Sequence, residues 1–184
     1  MSSPVFNVQN LAKRSRASVF FRGWLSFPHV VIAAFWAIGI AFLTFFQWWI
    51  IIFTGGRNES IWNSQNRFLG YITRVKAYRS LLFDKWPAFG SVPQGEPTGY
   101  DFVFEKKAKR MSTFFRGFLA IPAYFVLFFL SIGSSFAVLF SWFAILFTAK
   151  HPQGLFDFTL KVRRYSLKLA VYTKYMSDDF PKTN

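Results

Sequence analysis

Two stretches of this chain, Gly23 to Gly56 and Gly117 to Ala149, each run for more than 30 residues without an Asp, Glu, Lys or Arg. A bilayer hydrocarbon core of about 30 Å is crossed by roughly 20 helical residues, so both runs read as membrane-embedded. The composition agrees. Apolar residues make up 53% of the chain and charged residues only 16%, against about 25% charged in soluble domains. That balance argues against a water-soluble globule, and the apolar content excludes a disordered chain. There is no Cys, which excludes a disulfide framework, a thiol nucleophile, a cysteine zinc site and an iron–sulfur cluster. The first run starts late, behind Lys13, Arg14, Arg16 and Arg22, and lacks a small-residue cleavage pattern. It is therefore not expected to be a cleaved signal, and the N-terminus is expected in the cytosol.

Self-comparison shows one unit written twice. At a shift of 94 residues, Phe20-Phe21-Arg22-Gly23-Trp24-Leu25-Ser26-Phe27-Pro28 falls on Phe114-Phe115-Arg116-Gly117-Phe118-Leu119-Ala120-Ile121-Pro122. Tyr71, Tyr78, Asp84 and Pro87 fall on Tyr165, Tyr172, Asp178 and Pro181. From Arg16 to Pro87 no gap is needed, and 21 of 72 pairs are identical. The expected organisation is a first membrane repeat over 1–87, a Gly- and Pro-rich linker over 88–99, and a second repeat over 100–184. The two repeats should superpose about a pseudo-two-fold axis.

Each unit reads as four parts. A short extended piece comes first, Val5 to Val8 in one copy and Tyr100 to Phe104 in the other. Their equivalent placement predicts a small two-stranded cytoplasmic ribbon, resting on aromatic stripes that would bury Phe6, Phe102 and Phe104. A basic cluster and a short aromatic helix follow, and Pro28 or Pro122 opens the apolar segment. The last part is an amphipathic helix, about Ile61 to Phe83 and Leu155 to Met176. Leu155, Phe158, Val162, Tyr165, Leu169, Tyr172 and Met176 form one stripe at alternating spacings of three and four. Basic residues lie beside it. Such a helix suits the headgroup region, although packing of the stripe on a partner or on the other repeat is compatible with the same pattern. The expected fold class is an all-α membrane protein.

Each apolar run is either one long tilted helix or a re-entrant hairpin bent at Gly39 or near Gly133. Lys and Arg flank both runs on both sides. Single crossings would place a strongly basic middle section outside, against the positive-inside tendency, so the hairpin is the favoured reading. It places both termini and the linker on the cytoplasmic side.

Little in the sequence points to chemistry. His29 and His151 occupy non-equivalent positions without a second ligand nearby, and read as interfacial residues rather than metal or haem ligands. All eight carboxylates lie outside the apolar runs, which weakens a transporter reading; Asp157 and Asp178 read as capping or pairing groups. No phosphate-binding glycine loop, catalytic triad spacing or metal-ligand cluster occurs, so no enzyme activity and no cofactor are expected. The formal net charge is +14, and the nearest anionic partner is lipid headgroups rather than nucleic acid. The headgroup candidates are Arg22 and Arg116 at the membrane boundary, with Arg67, Arg74, Lys161, Arg164 and Lys168 on the amphipathic helices.

The segments Phe114 to Pro122, Trp142 to Thr148 and His151 to Phe158, with the ending Phe180-Pro181, resemble the bacterial membrane family called domain of unknown function 4389. The second repeat resembles it well. The first departs from it where Gly55-Gly56-Arg57-Asn58-Glu59 stands in place of Ala149-Lys150-His151-Pro152-Gln153. The resemblance implies a bacterial inner-membrane protein and no defined activity. The leading functional expectation is a non-catalytic accessory or scaffold subunit of a larger inner-membrane complex, with other membrane subunits or a second copy as partners. The alternative is a membrane-shaping, lipid-organising protein; a small transporter or channel ranks third.

Overall fold

The computed structural model describes residues 4–10, 14–89 and 98–182, so most of the expected linker lies outside the described residues. In chain order the elements are β1 (Val5–Val8), α1 (Arg16–Leu25), α2 (Phe27–Thr54), α3 (Glu59–Arg79), β2 (Thr98–Asp101), α4 (Arg110–Thr148) and α5 (Gln153–Thr173). The duplication is visible in the boundaries. Arg16, Thr54, Glu59 and Arg79 recur, at the same shift, as Arg110, Thr148, Gln153 and Thr173.

Neither apolar run is a hairpin, which corrects the favoured topology. Gly39 lies within α2 and Gly133 within α4. Between α1 and α2 the helical ladder continues through one turn residue: the Ser26 N–H donates to Arg22 C=O at 3.0 Å, and the Val30 N–H to Ser26 C=O at 3.1 Å. Bending either run would strand backbone N–H and C=O groups among apolar side chains, whereas an unbroken helix satisfies them internally. Gly133 serves close packing instead. A Cβ there would stand 3.2 Å from Cζ of Phe158. The expectation that proline opens both segments holds only for Pro28, because α4 runs through Pro122.

Two rods result, Ser18–Thr54 with 37 residues and Arg110–Thr148 with 39, each long and apolar enough to cross a membrane. Only 17% of the most apolar window of each is buried. Phe35, Phe42, Phe53, Phe118, Phe129 and Phe147 are among the many large side chains that the rods expose. A soluble protein rarely exposes an apolar patch beyond a few hundred Å²; this surface points to a membrane protein.

The amphipathic helices lie along the rods. α3 runs antiparallel to α2, with Phe68 and Tyr71 against Trp36 at ring separations of 5.7 and 5.6 Å, and Gln65 Nε2 donating to Thr44 Oγ1. α5 lies on α4 in the same way, and the Tyr165 hydroxyl donates to Ala123 C=O at 3.2 Å. α3 also meets α5, where Gln65 donates to Lys174 C=O and Arg163 to Ser80 Oγ. Tyr71, Val75, Tyr78 and Leu82, and their counterparts Tyr165, Leu169, Tyr172 and Met176, are buried. The stripes thus face protein, not headgroups.

The expected ribbon forms, but its second strand is Thr98–Asp101 rather than Tyr100–Phe104: it begins inside the expected linker, and Phe102 to Phe104 run on beyond it. β1 pairs antiparallel with β2, with Val5 opposite Asp101 and Val8 opposite Thr98. Phe6 and Phe102 are buried in a cluster with Trp62, Phe68, Leu160 and Leu167, and Phe104 packs at its edge. The ribbon therefore forms a third layer over α3 and α5.

Candidate functional site: two arginine–aspartate clasps

The polar chemistry of the molecule concentrates where each amphipathic helix ends. α3 closes with Leu81 at φ 62° and α5 with Tyr175 at φ 62°. The Leu82 N–H reaches back to Ala77 C=O and the Leu81 N–H to Tyr78 C=O; Met176 and Tyr175 do the same to Val171 and Tyr172. This is a Schellman ending with a non-glycine residue in the left-handed position. It turns the chain so that the next residues pass back beneath the first helical turns of the same repeat.

Arg22 and Arg116 meet those endings. Arg22 Nη1 donates to the carbonyls of Tyr78 (2.8 Å) and Phe83 (3.2 Å), and Nη2 to Asp84 Oδ1 (2.7 Å). Arg116 Nη1 donates to Tyr172 and Ser177, both at 3.0 Å, and Nη2 to Asp178 Oδ1 at 2.5 Å. Each guanidinium also lies over a tyrosine, 4.4 Å from the Tyr78 ring and 4.6 Å from the Tyr172 ring. A cation at a helix C-terminus complements the orphan carbonyls and the macrodipole. The second carboxylate oxygen accepts a backbone N–H where the leading rod begins, from Ser15 onto Asp84 and from Lys109 onto Asp178. One arginine and one aspartate thus clasp the start of a repeat to its end.

A second cation completes each clasp, and here the copies part. Asp178 also takes Arg57 Nη2 at 2.7 Å. Arg57 donates further to the carbonyls of Tyr175, Glu105 and Lys107, so it ties the first repeat to the second. The counterpart of Arg57 is His151, which hydrogen-bonds Ser141 Oγ through Nε2 at 2.8 Å. Burial, aided by the field of Arg14, lowers the His151 pKa to about 4. The missing charge comes from Arg14 ahead of α1, whose Nη1 lies 3.6 Å from Asp84 Oδ1 and whose Nη2 donates to Leu82 C=O.

The contacts between repeats are reciprocal. The Arg14 N–H donates to Ala149 C=O at 2.9 Å, and the Ala108 N–H to Gly55 C=O at 3.0 Å. Arg16 Nη2 reaches Phe147 C=O, and Arg110 Nη2 reaches Phe53 C=O. Each bond is the shifted copy of the other, as an isologous two-fold contact requires. The expected pseudo-two-fold relation is present.

Of the seven headgroup candidates, three are placed elsewhere than expected. Arg22, Arg74 and Arg116 are at most 3% exposed. The first and last are held in the clasps, and Arg74 lies within α3 with a long contact to Ala88 C=O. For Arg22 and Arg116, burial among carbonyls and a carboxylate supplies charge-assisted partners in place of a headgroup at the boundary. Arg67 and Lys161 are exposed on α3 and α5. Arg164 is exposed but also anchors the ribbon through Phe6 C=O and Asn7 Oδ1. Lys168 is half-buried and reaches Lys182 C=O at 3.5 Å. The sequence reading passed over Asp84, Arg14 and Arg57. The identity of Asp84 with Asp178, opposite in charge to the identical Arg22 and Arg116, was the available signal. Among the described residues no group of three His, Cys, Asp or Glu side chains forms a metal-binding cluster.

No curated protein and no solved structure matches the chain. A family model matches it twice, over residues 16–90 and 110–183, and so takes in both rods, both amphipathic helices and the arginine–aspartate pair of each clasp. The chain belongs to the family described as Domain of unknown function (DUF4389), present as two tandem copies.

Proposed function

We propose that this membrane protein is a non-catalytic scaffold or accessory subunit of a larger bacterial inner-membrane assembly, with its termini and basic segments on the cytoplasmic side and anionic lipid as its immediate neighbour. The observation that carries the reading is the use made of its buried charges. Arg14 and Arg22 bind Asp84 within the first repeat, Arg116 binds Asp178 within the second, and Arg57 reaches across to Asp178 and joins the two, which makes a rigid body with an apolar face and a cationic face. Rigidity of this kind suits a platform on which other subunits assemble. A cavity of about 310 Å³ beside the first clasp, with the exposed Arg79 on its polar side and Val19, Val138 and Trp142 on its apolar side, suits an anionic lipid.

Native mass measurement after extraction in gentle detergent tests the reading. A defined hetero-complex with retained phospholipid supports it. A homo-oligomer alone supports the second reading, a lipid-organising protein, which the long exposed aromatic faces of the rods favour. A lipid-free monomer overturns both.

A further inference from the structure

We infer that the molecule lies in the plane of the membrane, with its two rods seated in one leaflet by their exposed aromatic faces and with α3, α5 and the ribbon on the aqueous side. The inference rests on the membrane reading but not on the scaffold role. Four observations carry it.

The rods are too long to stand upright. Exposed apolar side chains run from Phe20 to Phe53 on one rod and from Met111 to Phe147 on the other, about 50 Å and 54 Å at 1.5 Å per residue. To fit either inside a hydrocarbon core of about 30 Å requires a tilt above about 50°, beyond the roughly 0–40° seen for spanning helices.

The cationic layer lies beside the middle of the rods, not beyond their ends. Arg67 adjoins Phe68, which packs on Trp36 near the centre of the first rod. Lys161 and Arg164 fall between Phe158, which covers Gly133, and Tyr165, which bonds Ala123; those partners bracket the centre of α4. Upright rods would carry these exposed cations to the bilayer centre, where charge is costly.

The ribbon makes the same point with backbone. Among the described residues its two strands form a sheet of two members with two outer edges, anchored through Phe6 and Asn7 to Arg164. Open sheet edges do not occur within lipid. Over the middle of in-plane rods, the ribbon meets water.

Finally, the flanking charge pattern demands a chain that does not cross. Basic residues stand at both ends of both rods: Arg16, Arg57, Lys106, Lys107, Arg110 and Lys150. Unbent helices that cross would divide them between two sides. Unbent helices that lie flat keep all of them on one.

The chain has no Cys, so single-cysteine variants of the full protein report without background. Lys106→Cys and Lys150→Cys, at opposite ends of α4, are treated with a membrane-impermeant maleimide in right-side-out and in inverted membrane vesicles. Separately, Phe118→Cys, Phe129→Cys and Phe140→Cys, exposed on one face of α4, carry a fluorophore quenched by lipids spin-labelled at graded depths in vesicles containing phosphatidylglycerol. The expected result is labelling of Lys106→Cys and Lys150→Cys from the same side, with the three depths equal to within about one helix radius, roughly 5 Å. Labelling from opposite sides overturns the inference, whether α4 crosses alone or within an oligomeric pore. Same-side labelling with Phe129→Cys much the deepest also overturns it and restores a hairpin. No quenching at any of the three positions overturns the membrane reading itself.

Discussion

The two clasps share a carboxylate, an arginine one rod-turn away and a helix ending, yet they recruit their second cation from different places. At Asp178 it is Arg57, on the connection between rod and amphipathic helix of the opposite repeat. At Asp84 the equivalent position holds the neutral His151, and Arg14 supplies the charge from the segment ahead of α1. The difference teaches that the fold requires two guanidiniums near each aspartate and is indifferent to the strand of sequence that brings them. It also leaves a buried titratable residue, His151, at one junction where the other has the permanently charged Arg57.

Removal of the shared arginine should have the largest effect. Arg116→Met and Arg22→Met each leave a half-buried carboxylate and two helix-end carbonyls short of a donor, at a cost of about 3–5 kcal/mol. Arg22→Met should be the worse of the two, because Arg14 stands 3.6 Å from Asp84 whereas Arg57 stays at 2.7 Å from Asp178. Melting temperatures of both variants in one detergent settle the order, and an equal loss would break the comparison.

The second test is acid. His151 is neutral in the fold, with a pKa near 4, against an ordinary value of 6.5. Between those values the unfolded chain binds a proton that the fold refuses, so stability falls as pH drops from about 6.5 towards 4 and levels off below. The loss approaches about 3 kcal/mol at most. His151→Gln should remove that part of the pH dependence, and a denaturation series at pH 7, 5.5 and 4 on both proteins shows whether it does.

A smaller asymmetry lies at the rod ends. Gly55 and Ala149 are equivalent, and both have left-handed backbone, at φ 73° and 56°. Glycine accepts that region without the penalty of roughly 1–2 kcal/mol that a Cβ brings. Ala149→Gly should therefore raise the melting temperature. Gly55→Ala should lower it, the more so because its Cβ would meet Arg110 Nε at 3.0 Å. The smallest effect is expected of Arg164→Ala. It frees β1 from one anchor at a cost of about 0.5–1 kcal/mol, and has no counterpart in the first repeat, where Gly70 occupies the equivalent place. Amide exchange confined to Val5–Val8 should quicken while the rods remain protected.

What was legible in the sequence is what repeats or has a period. The 94-residue shift anticipated the outer ends of the rod and of the amphipathic helix in the second copy, though not the loss of the break between α1 and α2; the three-four stripe anticipated the buried face of α5, and the paired extended pieces anticipated a ribbon. The two features misread depend on contacts distant in sequence. Arg22 stands at the edge of an apolar run, where local pattern suggests a headgroup partner; its true partner, Asp84, arrives only after a rod, a helix and a left-handed turn. The hairpin was inferred from charge placement on the premise that a chain must either cross or bend. Unbent rods that lie flat satisfy the same charges, and only the position of α3 and α5 along them makes that solution visible.

The reciprocal bonds between Arg14 and Ala149 and between Ala108 and Gly55 have a consequence for ancestry. Each half completes the other in the manner of two subunits of a symmetric dimer, so the present chain has the form of a dimer fused into one polypeptide. Fusion replaces encounter between separate molecules by an effective concentration on the order of millimolar, and it releases the two halves from the need to be identical. His151 and Arg57 could then diverge, each fitted to one side of an interface that a true homodimer would have had to build twice from the same residue.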